Sequence, residues 1–424
     1  MLMEIIENEI KKIVKSPIVI GLTVLFILFN LFIMSEKFCY REDLKVLNTI
    51  VKKVGYKIDE KMIENFKNYY EENLNEVKKI INKKEGKTYK NVADFYENTK
   101  LDISQQYNIQ EQQKIKETCI LENYYYSIEQ NDMDYKKINM KEIAEYQIKS
   151  YRIFGEAAKT IRSNYKKFQK RLDNIRVNGE HRNLFFIGKL YEMHSFLFKD
   201  ILRNVIFEIA ILGCLIILFI VNYEFHNNTS LIVYCTKRGR NLVKDKMFAG
   251  LICICLVTTI ILGTTLIIYF SIFSYEGLWK IPISSYFNWE GGMGTPFMSW
   301  FPINMKQYLI LFIILVYVIQ MLFGGITFLI ARITKNTYIG FFIFFIVGSF
   351  AVVLSTFVPK NSNFIIYSNF NPFFLTMHPN FWFMHGDIFT TYKCYELITV
   401  LIWGGLLIIT GILSVKKFKK EALN

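Results

Sequence analysis

Six stretches of this chain are too long and too apolar to serve as ordinary core elements of a water-soluble protein. They run approximately over 17–34, 203–223, 247–270, 307–331, 338–358 and 396–415. Each holds about 18 to 25 residues, the length a helix needs to cross a hydrocarbon layer ~30 Å thick. In lipid a helix satisfies all its backbone groups within one segment, so these runs predict helices. Composition agrees, because 52% hydrophobic residues coexist with 21% charged ones. A soluble fold interleaves the two classes at helix or strand period, whereas here they are segregated along the chain. The first run is too long for a signal-peptide apolar region. Ser35-Glu36-Lys37-Phe38-Cys39 follows it in place of a small-residue cleavage site, so it is expected to stay as a span.

Lysine and arginine near the ends of spans are retained in the cytoplasm. Lys11, Lys12 and Lys15 precede the first run. Lys237, Arg238, Arg240, Lys244 and Lys246 stand between the second and third, and Arg332 and Lys335 between the fourth and fifth. Lys416, Lys417, Lys419 and Lys420 follow the sixth. The alternate connections are poorer in base, with Lys280 in one and Lys360 and Lys393 in the other. Both termini are therefore expected in the cytoplasm, and the long segment after the first span outside, where long domains escape this rule.

The expected fold class is an all-α membrane protein with six transmembrane helices and a large, mainly helical extracellular domain between spans one and two. Residues 1–16 read as a cytoplasmic interfacial helix, with Ile6, Ile10, Ile13 and Val14 facing one way. Residues 17–34 form the first span and 35–202 the extracellular domain. Residues 203–415 hold the other five spans, with a cytoplasmic loop at 224–246 and a re-entrant-like external segment at 359–395. Residues 416–424 form a basic cytoplasmic tail. The net charge of +14, without a zinc-knuckle or helix-turn-helix pattern, points to membrane lipids and not to nucleic acid.

Within 35–202, Tyr151, Phe154, Ala158, Ile161, Tyr165, Phe168 and Leu172 recur at spacings of three and four, as do Ile63, Phe66, Tyr70, Val77 and Ile80 for the most part. Two such helices are expected to pair along apolar seams. Residues 184–200 read as a helix lying on the membrane before span two. Trp279, Trp289, Trp300 and Trp382 fit an interfacial aromatic belt. Cys39 and Cys119 lie in the expected external domain, where pairing as a disulfide stays open.

Enzymatic chemistry is poorly represented. Gly86-Lys87-Thr88 is the nearest approach to a phosphate-binding loop, but Ile81 stands where the first glycine belongs, so it reads as a turn. No GxSxG or HExxH occurs. His378, His385 and Asp387 share one segment without a zinc-ligand spacing and read as ordinary interfacial residues. The chain is thus expected to be no enzyme and to bind no cofactor itself. Polar groups inside the spans are more informative, because they must face other helices or a cavity. Asn30, Glu208, Tyr317 and Gln320 are the candidates for a substrate path. Gly324-Gly325 and Gly404-Gly405 are expected to allow close helix packing.

The segment 222–250, NYEFHNNTSLIVYCTKRGRNLVKDKMFAG, carries a family resemblance. It is similar to the cytoplasmic loop of ABC type-2 exporter permeases. In these a Glu ends span two, a Gly-Thr pair and an apolar stretch follow, then Ser-Thr-Pro, an Arg, and a Lys opening span three. Glu224, Thr229, the stretch Leu231 to Tyr234, Thr236, Arg240 and Lys246 fall at or near those places. Asn228 stands for the glycine and Lys237 for the proline. Asn tolerates the same left-handed backbone as glycine. The six spans, the helix before span one and the large segment after it also resemble the family, so the likeness covers nearly the whole chain.

The resemblance implies a permease subunit of an ATP-driven transporter in a bacterial plasma membrane. ATP and Mg would bind a separate ATP-binding subunit, and the permease would homodimerise or pair with a similar one. In this reading Glu224, Thr229, Leu231, Ile232, Arg238, Arg240, Leu242 and Lys246 couple the loop to that subunit. Leu231, Ile232 and Leu242 bury in its groove, while Arg238 and Arg240 sit at the rim or on lipid phosphates. The expected cargo is an exported or cleared amphipathic peptide or lipid-like molecule. The alternative is a membrane-anchored receptor or adhesion protein that acts through its extracellular domain.

Overall fold

The computed structural model describes residues 2–99, 106–236, 239–289 and 294–420, with only the backbone at 2, 3 and 129–133. The described residues are helical, with four isolated β-bridges and no strands. A short helix Leu2–Val14 (α1) turns at Ser16 into Pro17–Ser35 (α2), where Pro17 takes a first-turn position that needs no N–H donor. Among the described residues, six helices are long and apolar enough to cross a membrane. After α2, the inserted domain contains Tyr40–Val54 (α3), Glu60–Glu85 (α4), Val92–Asn98 (α5), Ile109–Lys137 (α6), Met140–Ser150 (α7) and Gly155–Asn178 (α8). The remaining long helices are Leu202–His226 (α9), Leu242–Ile272 (α10), Met305–Thr334 (α11), Thr337–Val353 (α12) and Tyr395–Lys420 (α13).

Helix α9 is the hub, packing along both α10 and α11. The apolar window of the run ending in α9 is 72% buried inside the chain, and that of α11 61%. Those of α2, α12 and α13 are 11%, 17% and 17% buried, so these three present most of their apolar surface outward. Side chains as apolar as Phe342 and Ile408 need a nonaqueous neighbour there. Close packing of α11 on α10 and α13 needs glycine. A Cβ at Gly324 would stand 2.8 Å from Ile254 Cδ1, and one at Gly325 3.3 Å from Leu407 Cδ1. Gly404 and Gly405 instead have nothing within 4 Å, because they lie on an outward face of α13.

The inserted domain folds as helix pairs. Asp59 caps α4 through a side-chain bond to Met62 N, and Gly86 ends it at φ +66°, so Gly86-Lys87-Thr88 is a helix stop. Met62, Phe66, Tyr70, Val77 and Ile81 form its buried seam, while Ile63 is exposed and Ile80 half-buried. Two expectations are corrected here. Helices α4 and α8 do not pair with each other: α4 packs on α6 and α8 on α7. Tyr151 and Phe154 leave the α8 seam because the chain breaks at Arg152 and Gly155, both at positive φ, and both aromatic side chains are exposed.

Residues 188–201 are not a separate surface helix. They form a continuous 3₁₀, α and π run leading into α9, with Leu190, Met193, Phe196, Leu197, Phe198 and Ile201 buried. His194 within it bonds Asn380 O at 3.0 Å, tying this run to the segment before α13. Two of the tryptophans are core residues. Trp300 packs on Phe168 with ring centroids 4.6 Å apart, and Trp382 donates to Leu375 O at 2.9 Å. The segment 359–395 holds one-turn helices Phe364–Tyr367 and Pro372–Leu375 and packs against the inserted domain. Its Asn361 O accepts from Glu156 N at 3.1 Å. Cys39 and Cys119 are free thiols.

Candidate functional site

The basic connections converge at one end of the bundle. Arg240 Nη1 donates to Phe418 O at 3.2 Å and Lys419 O at 2.6 Å, so it satisfies carbonyls at the end of α13. The Arg332 guanidinium stacks over the Phe418 ring at 3.7 Å, and Tyr234 meets the same ring edge-on at 5.1 Å. Lys335 lies over Phe225 at 5.6 Å.

The loop between α9 and α10 starts with a defined stop. Thr229 N bonds Glu224 O at 2.9 Å and Asn228 N bonds Phe225 O at 3.3 Å, while Asn228 has φ +55°. These paired bonds around a left-handed residue form a Schellman motif. Asparagine fills the position that glycine most often takes, since a short polar side chain tolerates that conformation. A helical turn Ser230–Tyr234 follows. Tyr234 and Gly239 anchor inward, and a Cβ at Gly239 would lie 3.0 Å from Tyr234 O. Leu231 and Ile232 point outward and are 55% and 75% exposed.

Glu224 and Lys246 lie inside α9 and α10, one turn or so from the loop, and are both buried. Lys246 Nζ donates to Glu224 and, at 2.7 Å, to Ile220 O. The pair clamps the two helices where the loop leaves them. Helix α1 packs along α10 beside it and buries Glu9 and Ile13, four residues apart, while Val14 is exposed. Lys12 bonds Glu9 at 2.8 Å and lies over the Tyr223 ring at 4.2 Å. Leu242 is half-buried as the first residue of α10, and Arg238 lies outside the described residues.

Of the candidates within the spans, the structure brings two together. Asn30 Nδ2 of α2 donates to Glu208 Oε2 of α9 at 2.8 Å and approaches Thr265 Oγ1 of α10 at 3.4 Å. Gln320 donates to Ile206 O at 2.8 Å, two residues before Glu208 on α9. Tyr317 pairs with Thr259 at 2.7 Å, away from the Asn30–Glu208 contact. Sequence reasoning missed Thr265, Glu9, Arg332 and Phe418. Glu9 had a signal in its spacing of four from Ile13; the others depend on which helices become neighbours.

The segment with His378, His385 and Asp387 carries no converging site. His385 is fully buried against Tyr165 and Phe168, and burial lowers its pKa to about 4. Desolvation raises that of Asp387, whose Oδ1 accepts from Ile388 N at 2.7 Å. Among the described residues no group of three His, Cys, Asp or Glu is placed to hold a metal. Compared with protein-family models, curated proteins and solved structures, the chain matches none of them.

Proposed function

We infer that this chain is the permease subunit of an ATP-driven exporter resembling the ABC type-2 class, with its basic end in the cytoplasm and its inserted domain outside. A separate ATP-binding subunit docks at the basic end. The carrying observation is the outward presentation of Leu231 and Ile232, 55% and 75% exposed, on a turn anchored by the buried Tyr234. An apolar pair exposed outside the spans suits a groove in a soluble partner. The buried Glu224–Lys246 pair below it suits transmission, because closure of the partner then moves α9 and α10 together. The outward apolar faces of α2, α12 and α13 suit lipid and a second permease. The cargo is an amphipathic peptide or lipid-like molecule, and the membrane a bacterial plasma membrane.

The test is purification of the chain from native membranes in mild detergent, followed by assay of co-purifying chains and ATPase activity. A stoichiometric ATPase that is lost from Leu231→Asp/Ile232→Asp, with the variant still inserted, supports the reading. No ATPase partner for the parent chain overturns it. A receptor is the second reading, favoured by a charged groove of about 510 Å³ between α3 and α6 that includes Arg41, Lys45, Lys116 and Glu117. It predicts ligand capture by the inserted domain with no ATPase present.

A further inference from the structure

A groove of about 690 Å³ lies at the basic end of the bundle, between the start of α2 and the start of α12, with α9 as its floor. Its volume falls in the range of about 300–1,000 Å³ typical of small-molecule sites. Its walls change character along the bundle. Val19, Phe219 and Phe342 line the part that follows the spans inward, while His226 and Lys335 stand at the end nearest the loops. No Asp or Glu is among the residues that line it. The N-terminus of α12, where Asn336 Oδ1 accepts from Tyr338 N and Ile339 N, lies at the same end and adds its positive dipole.

Asn222 marks what is missing. It lines the groove, is 1% exposed, and neither its Nδ2 nor its Oδ1 has a hydrogen-bond partner. A buried amide with both atoms unpaired is costly unless a bound group satisfies it. It stands one turn from the end of α9, at the level where the apolar lining gives way to Lys335 and His226.

We propose that this groove holds one phospholipid with a net-anionic phosphate head, taken from the leaflet at the basic end. The head lies against Asn222, Lys335 and the α12 N-terminus, and an acyl chain lies along Phe219 and Phe342. The site does not depend on an ATPase partner, so it stands or falls separately from the transport reading.

The test is native mass spectrometry of the delipidated full chain. It is titrated in separate arms with phosphatidylglycerol, with phosphatidylcholine of the same acyl chains, and with inorganic phosphate. One phosphatidylglycerol per chain is expected, held about tenfold more tightly than phosphatidylcholine, with Asn222→Leu and Lys335→Gln each weakening it about tenfold. Asn222→Leu removes an unpaired buried amide and so keeps the lipid-free chain folded. Lys335→Gln tests the half-buried cation independently. Equal retention of the two lipids, or no effect of either variant, overturns the proposal. Displacement by inorganic phosphate at matched concentration assigns a free anion instead. A shift in dimer fraction with lipid retention unchanged assigns the groove to a second copy; both results overturn it.

Discussion

Asn30 and Glu208 are separated by 178 positions in the chain and by 2.8 Å in space. The whole inserted domain lies between them, and its two stems return so that α2 and α9 meet inside the apolar part of the bundle. Glu208 Oε1 and Asn30 Oδ1 have no partner there, so this contact is only half satisfied.

That relationship makes its own prediction. Asn30→Leu leaves Glu208 unpaired among apolar side chains and is expected to cost about 1–3 kcal/mol of stability. Glu208→Gln keeps a hydrogen-bonding group and is expected to be milder. The double change Asn30→Leu/Glu208→Leu removes both polar groups and should recover most of the loss. Thermal unfolding in detergent measures all three. If the double variant is as unstable as Asn30→Leu alone, the contact is not the source of the penalty.

The Glu224–Lys246 pair calls for the same logic at higher stakes. Lys246→Met strands a buried carboxylate and is expected to cost about 3–5 kcal/mol. Adding Glu224→Leu should restore much of it, because two apolar side chains replace two desolvated charges. Under the proposed function the rescued double variant inserts normally yet exports poorly, since α9 and α10 are no longer clamped. Normal export by that variant would separate the pair from coupling.

His385 sets a pH dependence. The free side chain titrates near 6.5 and the buried one near 4, so between these values the unfolded chain binds a proton that the folded chain excludes. Stability from this residue is complete above pH 6.5 and falls as pH drops towards 4, by about 3 kcal/mol at the lower end. His385→Leu is expected to flatten the slope of melting temperature against pH in that window. An unchanged slope would assign the dependence to other groups.

Gly348 of α12 faces the ring of Phe373, with a Cβ there only 2.7 Å from Cδ1 and Cε1. Gly348→Ala is expected to destabilise by about 1–3 kcal/mol through overpacking. Gly404→Ala, on an open face, is expected to be neutral or slightly stabilising through helix propensity. Equal melting temperatures for the two variants would show that the ring moves aside freely.

Much of the architecture is readable from local pattern. The six spans appear within a few residues of their apolar runs, although α10 starts at Leu242, where the run suggests 247. The apolar run understates such helices because Lys246 and Glu224 are helical and charged at once. The sequence marked Asn228 only as a residue able to take a left-handed backbone, and the structure places the stop of α9 there. The seam of α8 from Ala158 to Leu172 is a spacing rule that the structure keeps.

Neighbours across the chain were not legible. No spacing rule places Arg240 on the end of α13, Trp300 on Phe168, or Thr265 beside Asn30. The run 184–200 looks like a surface helix because one face is aromatic, and the arrival of α10, α11 and the segment before α13 buries it on several sides. By itself the sequence determined where helices lie and which end of the bundle is basic, because helix length, apolarity and capping act over a few residues. Which polar groups become partners, which faces stay open and where a groove remains were decided by tertiary structure. Those outcomes depend on how α2, α9 and α12 pack together, and packing joins residues that are remote along the chain.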